Sequence, residues 1–165
     1  MIEQFSMDEN NTDRRGENLW HSQNFLHDSQ FVASLVNMAD ITSGDTVIEI
    51  GPGKGIITER LSEKAEKVVG IEYDFGLAQK LREKFSNSPN VEILAGDFLK
   101  WSLPNYEYKI FSNIPFEYSS RILDKILVSP KSPQDTYLIM QDLAAKRFMG
   151  KSAGGQDSQA SILLQ

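Results

Sequence analysis

Cysteine is missing from this 165-residue chain, which excludes a disulfide framework and any thiolate metal site and fits a cytoplasmic address. No apolar run approaches the roughly 20 residues that a membrane span requires. The first 17 residues are polar and acidic, without the basic start and apolar stretch of a secretory signal. An excess of positive charge is also lacking. The formal net charge is -6, which argues against a generic nucleic-acid coat. That acidity is local: residues 1–45 carry eight acids and two bases, and the other 120 residues carry fifteen of each. If the protein grips nucleic acid, most of the phosphate-binding charge lies elsewhere.

What is present is enough apolar residue, 40%, for one core. Residues 1–18 read as a disordered acidic leader, and 19–165 as one domain. The organising stretch is Thr46-Val47-Ile48-Glu49-Ile50-Gly51-Pro52-Gly53-Lys54-Gly55, an apolar run ending in three alternate glycines before a helical pattern. A strand, a glycine loop and a helix start let backbone approach a ligand closely. The loop is not a phosphate-cradling P-loop, because Lys54 is followed by Gly55. Nor is it a dinucleotide fingerprint, whose third glycine would fall at Ile56. What remains, Glu-x-Gly-x-Gly-x-Gly, resembles motif I of S-adenosylmethionine-dependent methyltransferases.

Periodicity predicts a helix through Phe31, Val32, Leu35, Val36 and Met38, capped by Asp28-Ser29, and a break at Ser43-Gly44-Asp45. Helices are expected from about Ile56 to Ala65, over Gly76–Phe85, after a Ser119-Ser120 cap, and over Asp142–Met149. The strands expected after the first are Val68–Glu72, Val91–Leu94, Lys109–Ser112 and Thr136–Met140. Strands alternating with helices imply a Rossmann-like α/β fold, a parallel sheet with helices on both faces and ligand groups at the strands' C-terminal ends.

Those ends carry the unusual residues. Glu72 lies 21 residues after Gly51, a spacing suited to accepting hydrogen bonds from the ribose hydroxyls of an adenosine. Asp97 can accept from an adenine amine, with Phe98 offering an apolar edge; Gly-Asp is equally a common turn pair. Asn113-Ile114-Pro115-Phe116 is the most specific motif. An exocyclic adenine amine is a poor nucleophile, its lone pair being delocalised into the ring. The Asn113 amide oxygen and the Ile114 carbonyl can accept its hydrogens and free that lone pair. Pro115 stiffens the loop, and Phe116 can stack on an extruded base.

Gln23-Asn24-Phe25-Leu26, Glu49–Gly55, Ile71-Glu72-Tyr73-Asp74, Gly96-Asp97-Phe98-Leu99 and Asn113–Phe116 occur in the order of the rRNA adenine N6-methyltransferases. The chain resembles that family, which comprises the erythromycin-resistance (Erm) and KsgA-type enzymes. Asn-Ile-Pro-Phe looks more like Erm than the Asn-Leu-Pro-Tyr usual in KsgA. The resemblance implies S-adenosylmethionine as methyl donor, S-adenosylhomocysteine as product, and no metal. Asn24 and Leu26 would border the methionine side, Gly51 and Gly53 the carboxypropyl end, Glu72 the ribose and Asp97 the adenine. Asn113 would face both donor and target.

The activity implied is methylation of one adenine of 23S rRNA, with resistance to macrolides, lincosamides and streptogramin B. Alternatives are a KsgA-like enzyme acting on small-subunit rRNA, or a non-catalytic RNA-binding relative. Family members continue into two further strands and a basic helical domain. The chain is therefore expected to be C-terminally incomplete, a weak S-adenosylmethionine binder and a poor methylase. An uncovered edge of the fifth strand would invite association in a protein expected to be monomeric at full length.

Overall fold

β-branched residues on both sides of a short strand suit a position buried from above and below, and β1 (Thr46–Ile50) has that character, all but Thr46 being buried. The computed structural model describes residues 29–140. Over that span the order is α1 (Ser29–Met38), β1, α2 (Ile56–Ser62), β2 (Lys67–Glu72), α3 (Phe75–Lys84), β3 (Val91–Ala95), β4 (Lys109–Asn113), α4 (Ser119–Leu127) and β5 (Thr136–Ile139). All pairings are parallel, in the order β3-β2-β1-β4-β5. The fold is the Rossmann-like methyltransferase α/β fold expected from the sequence. The chain leaves β1 towards β2 and later returns to its other side at β4, so the switch point falls between β1 and β4.

Alternation along each strand divides the core. Val47, Val68 and Phe111 face α1 and α2 through Val32, Val36, Ile57 and Leu61, while α3 covers Ile93 through Ala78, Leu81 and Phe85. On the opposite face Ile48, Val69, Ile71 and Ile110 pack on Ile122 and Ile126 of α4. No helix among the described residues is long and apolar enough to cross a membrane.

Element boundaries differ from the expected ones for local reasons. α2 stops at Ser62 rather than Ala65, because both Lys64 and Ala65 donate to the Leu61 carbonyl. Asn90 Nδ2 then takes up the carbonyls of Ser62 and Ala65. α3 begins one residue early, because Asp74 Oδ1 accepts the Leu77 N–H at 2.9 Å. The expected Ser119-Ser120 cap is not formed: a 3₁₀ turn, Phe116–Tyr118, runs straight into α4, and Tyr118 stands at the cap without a side-chain bond. The leader and the expected helix over 142–149 lie outside the described residues.

At the pole where the strands begin, one buried cation ties three segments together. Lys109 Nζ donates to the Asp40 carbonyl and pairs with Asp45 at 3.2 Å and Asp135 at 3.5 Å. Burial pulls the Lys109 pKa down, but Asp45, Asp40 and Asp135 outweigh it and hold the ammonium above its ordinary value. Burial likewise pushes Asp45 up, yet the Thr42 amide and hydroxyl with Lys109 hold its carboxyl below the usual range. The Ser129–Pro133 loop and the segment before β4 close this pole: Tyr108 Oη donates to the Lys131 carbonyl, and Lys131 Nζ to that of Asn105.

Candidate active site

The opposite pole is built from the glycine loop. Gly51, Gly53 and Gly55 all have positive φ, at 66°, 59° and 77°, the region where L side chains are strained. Their surroundings differ. A β-carbon on Gly51 would meet nothing within 4 Å, whereas one on Gly55 would lie 2.8 Å from both Leu81 Cδ2 and Phe85 Cε2. Gly51 therefore leaves open room for a ligand, while Gly55 lets the loop close on α3. Gly70 makes a third approach possible. A β-carbon there would stand 2.8 Å from Ile93 and 3.2 Å from Pro52, so its missing side chain seats the loop's proline over β2.

Two buried carboxyl groups brace the loop. Glu72 is fully buried, and its oxygens accept the N–H groups of Gly53 and Asp74, each at 2.9 Å. The sequence suggested Glu72 as a ribose acceptor. Its bonds in this structure are structural ones, tying the glycine loop to the start of α3. Glu49 lies on β1 at 1% exposure and accepts from Thr58 Oγ1 at 2.6 Å, joining β1 to α2. Burial raises its pKa to about 8, opposed by the Thr58 bond and reinforced by the charge of Glu72. Lys84, paired with Glu59 at 3.0 Å, adds bonds to the carbonyls of Lys54 and Gly55.

Across the switch point stands the Asn113 loop. Val47 aligns with Lys109 and Ile48 with Ile110, so β1 and β4 run side by side towards Gly51 and Asn113 at their C-terminal ends. Ser112 Oγ donates to the Ile50 carbonyl and joins the two strand ends. Ile114 is buried and its N–H donates to Ile139 at 3.0 Å, while Pro115 accepts from Tyr118 at 3.1 Å. Phe116 opens the 3₁₀ turn. The loop is thus fixed at both ends.

Asp97 heads the turn after β3, half-buried, with Oδ1 accepting the Leu99 N–H at 2.9 Å. Phe98 is a correction. Its ring is 4% exposed and packs with Trp101, Ile110 and Ile122, because the turn directs it into the core beneath α4. The sequence suggested Phe98 as an apolar edge beside Asp97; in this structure the side chain faces the core instead. Gly51, Gly53, Glu72, Asp97 and Asn113 all gather at the strands' C-terminal ends, while Asn24 and Leu26 lie outside the described residues. Glu49, Gly70, Ser112 and Lys84 were missed as site scaffolding. Glu49 alone carried a signal, as the acid of the glycine motif. No cluster of three or more metal-ligating side chains occurs among the described residues.

Comparison with known proteins adds the family. A family model described as ribosomal RNA adenine dimethylase matches residues 17–165. An rRNA methyltransferase of Streptomyces thermotolerans is 38% identical over 130 residues, covering 79% of this chain and 44% of the relative. A probable ribosomal RNA small subunit methyltransferase A of Methanosarcina mazei is 42% identical over 105 residues, covering 64% and 38%. The crystal structure of 23S rRNA methyltransferase ErmE superposes with a TM-score of 0.71 at 32% identity, covering 77% of this chain and 52% of that one. A dimethyladenosine transferase from Plasmodium falciparum gives 0.66 at 27%, covering 73% and 44%. The chain spans between 38% and 52% of the length of these relatives.

Proposed function

Because the chain belongs to the ribosomal RNA adenine dimethylase family, we propose that its crevice takes S-adenosylmethionine and serves N6-methylation of one adenine in 23S rRNA. In the whole protein the consequence would be resistance to macrolides, lincosamides and streptogramin B, exerted in the cytoplasm. The observation that carries this reading is the bond from Ser112 Oγ to the Ile50 carbonyl, which ties together the two strand ends that lead into the glycine loop and the Asn113 loop. The fit to the cofactor rests on the open space at Gly51 and Gly96, where an added β-carbon would meet no atom within 4 Å.

S-adenosylmethionine supplies, when bound, an electrophilic methyl group on a sulfonium. Gly51 and Gly53 would let the loop backbone approach its carboxypropyl end, and Asp97 would accept from its adenine amine. Glu72 would accept from the ribose with the lone pairs not used by Gly53 and Asp74, once the loop above its buried carboxylate opens to admit the ligand. The Asn113 amide oxygen and Ile114 carbonyl would accept both hydrogens of the target amine and turn its lone pair towards the donor. Phe116 is the residue assigned to stack on the extruded base. Positioning and oriented dipoles would then supply the rate.

A second reading, small-subunit rRNA as substrate, is favoured by the 42% identity to the Methanosarcina relative. Incubation with radiolabelled S-adenosylmethionine and separate 23S and 16S transcripts, followed by primer extension, distinguishes the two. Arrest at one 23S adenine with the whole protein, lost in its Asn113→Ala variant, is the expected result, with at most weak labelling by residues 1–165 alone. Arrest on 16S only would transfer the assignment to the second reading, and label on neither transcript with the whole protein would defeat both.

A further inference from the structure

Lys125 has no place in the motifs read from the sequence, yet it joins two parts of the site. It projects from α4, the helix that follows the Asn113–Phe116 loop, to the turn after β3. Its Nζ donates to the Leu99 carbonyl at 2.9 Å and to that of Trp101. It also lies 5.3 Å from the centroid of the buried Phe98 ring, within cation–π range. The turn it grips is the one that presents Asp97. The Asp97 carbonyl accepts the N–H groups of Lys100 and Trp101, each at 3.0 Å, and its carboxylate accepts that of Leu99. Residue 99 is the hinge of the arrangement, its N–H holding the Asp97 side chain and its carbonyl held by Lys125. Burial pulls the Lys125 pKa down while the charge of Asp97 opposes the shift, as suits an ammonium built into the fold.

We propose that Lys125 is a positioning residue that sets the adenine selectivity of the cofactor site by holding the Asp97–Trp101 turn in place. This rests on Asp97 being the acceptor for the adenine amine. A carboxylate accepts from the 6-amino group of adenine and repels the 6-oxygen of hypoxanthine, so selectivity depends on where Asp97 points. Removing the two carbonyl contacts frees the backbone on both sides of residue 100. The neighbouring acidic and basic groups, Lys100 (3.9 Å from Asp97) and Asp124, are exposed and do not replace them.

The test is titration calorimetry of the full chain with S-adenosylhomocysteine and with S-inosylhomocysteine, using wild type, Lys125→Met, Lys125→Arg and Asp97→Asn. Hydrogen exchange of residues 97–101 is read in parallel. Wild type should favour the adenine ligand by about tenfold, as expected where a half-buried acceptor reads an amine. Lys125→Met should bring the two ligands within about threefold and raise exchange in the turn, with β1 and β4 still protected. Lys125→Arg should recover most of both. An unchanged preference in Lys125→Met, or equal loss of protection in turn and strands, would overturn the proposal. If Asp97→Asn abolishes the preference while Lys125→Met keeps it, only Lys125 is misassigned. If Asp97→Asn keeps it, the reading of Asp97 falls and the role of Lys125 with it.

Discussion

Replacing Gly55 by alanine should damage the fold more than the same change at Gly51, although both glycines belong to one motif and share a left-handed backbone. At φ 77° the new side chain meets local strain of about 1–2 kcal/mol. Its β-carbon would also stand 2.8 Å from Leu81 Cδ2 and Phe85 Cε2, both on well-packed side chains of the α3 core. Overpacking of that kind costs about 1–3 kcal/mol. Loss of glycine's unfolded-state freedom returns roughly 0.4–1 kcal/mol, leaving a net destabilisation of about 1–5 kcal/mol, centred near 3. At Gly51 the space is empty, so only strain less the same return remains, about 0–1.6 kcal/mol. Urea unfolding of the two variants and wild type, followed by circular dichroism with m-values compared, reads the difference directly. Gly51→Ala should instead weaken S-adenosylhomocysteine binding, since its methyl enters the ligand's space. Equal midpoints for the two variants would refute the separation of roles.

Glu49→Gln should flatten the pH dependence of stability. The folded pKa of about 8 lies above the ordinary 4.5, so between these values the folded state keeps a proton that the unfolded chain has released. Stability of wild type relative to the variant should therefore fall as pH rises through that window, by up to about 1.4 kcal/mol per unit. A constant difference between pH 5 and 8 would count against it. Glu72→Gln puts an N–H₂ where one backbone N–H now finds an acceptor, and should cost about 1–3 kcal/mol in thermal or urea unfolding without any ligand. Lys109→Met should cost about 1–3 kcal/mol by leaving the partly buried Asp45 without its cation. Because the Asp45 carboxyl is held below its ordinary 3.8, its contribution is present above that pH and is lost as pH falls through the lower folded value. Lys109→Met should therefore show a shallower acid transition than wild type.

The fold was legible because period and punctuation agreed. Val47, Ile48 and Ile50 run into glycines, Val68–Ile71 is apolar throughout, and every strand but the third is followed by a helical pattern. Boundaries slipped where a single side chain decided them, as with Asp74 capping α3 and Asn90 closing α2. The candidate site was legible as a set of residue types at strand ends, and Glu72, Asp97 and Asn113 do gather there. Its scaffolding was not. Glu72 holds Gly53 only because a positive φ turns that N–H inward, and Gly70 matters only because Pro52 and Ile93 converge on it. Phe98 was misjudged because sequence does not tell which way a turn throws its side chain.

The pole that holds Lys109 also gives an experimenter a handle. The Ser129–Pro133 loop lies at that end of the sheet, with the strands' full length between it and the crevice. Ser132 there is solvent-exposed. With no cysteine anywhere in the chain, Ser132→Cys would create a unique thiol. A fluorophore or tether attached to it would report on tumbling, assembly or RNA capture from behind, leaving the strand ends that carry Gly51 and Asn113 untouched.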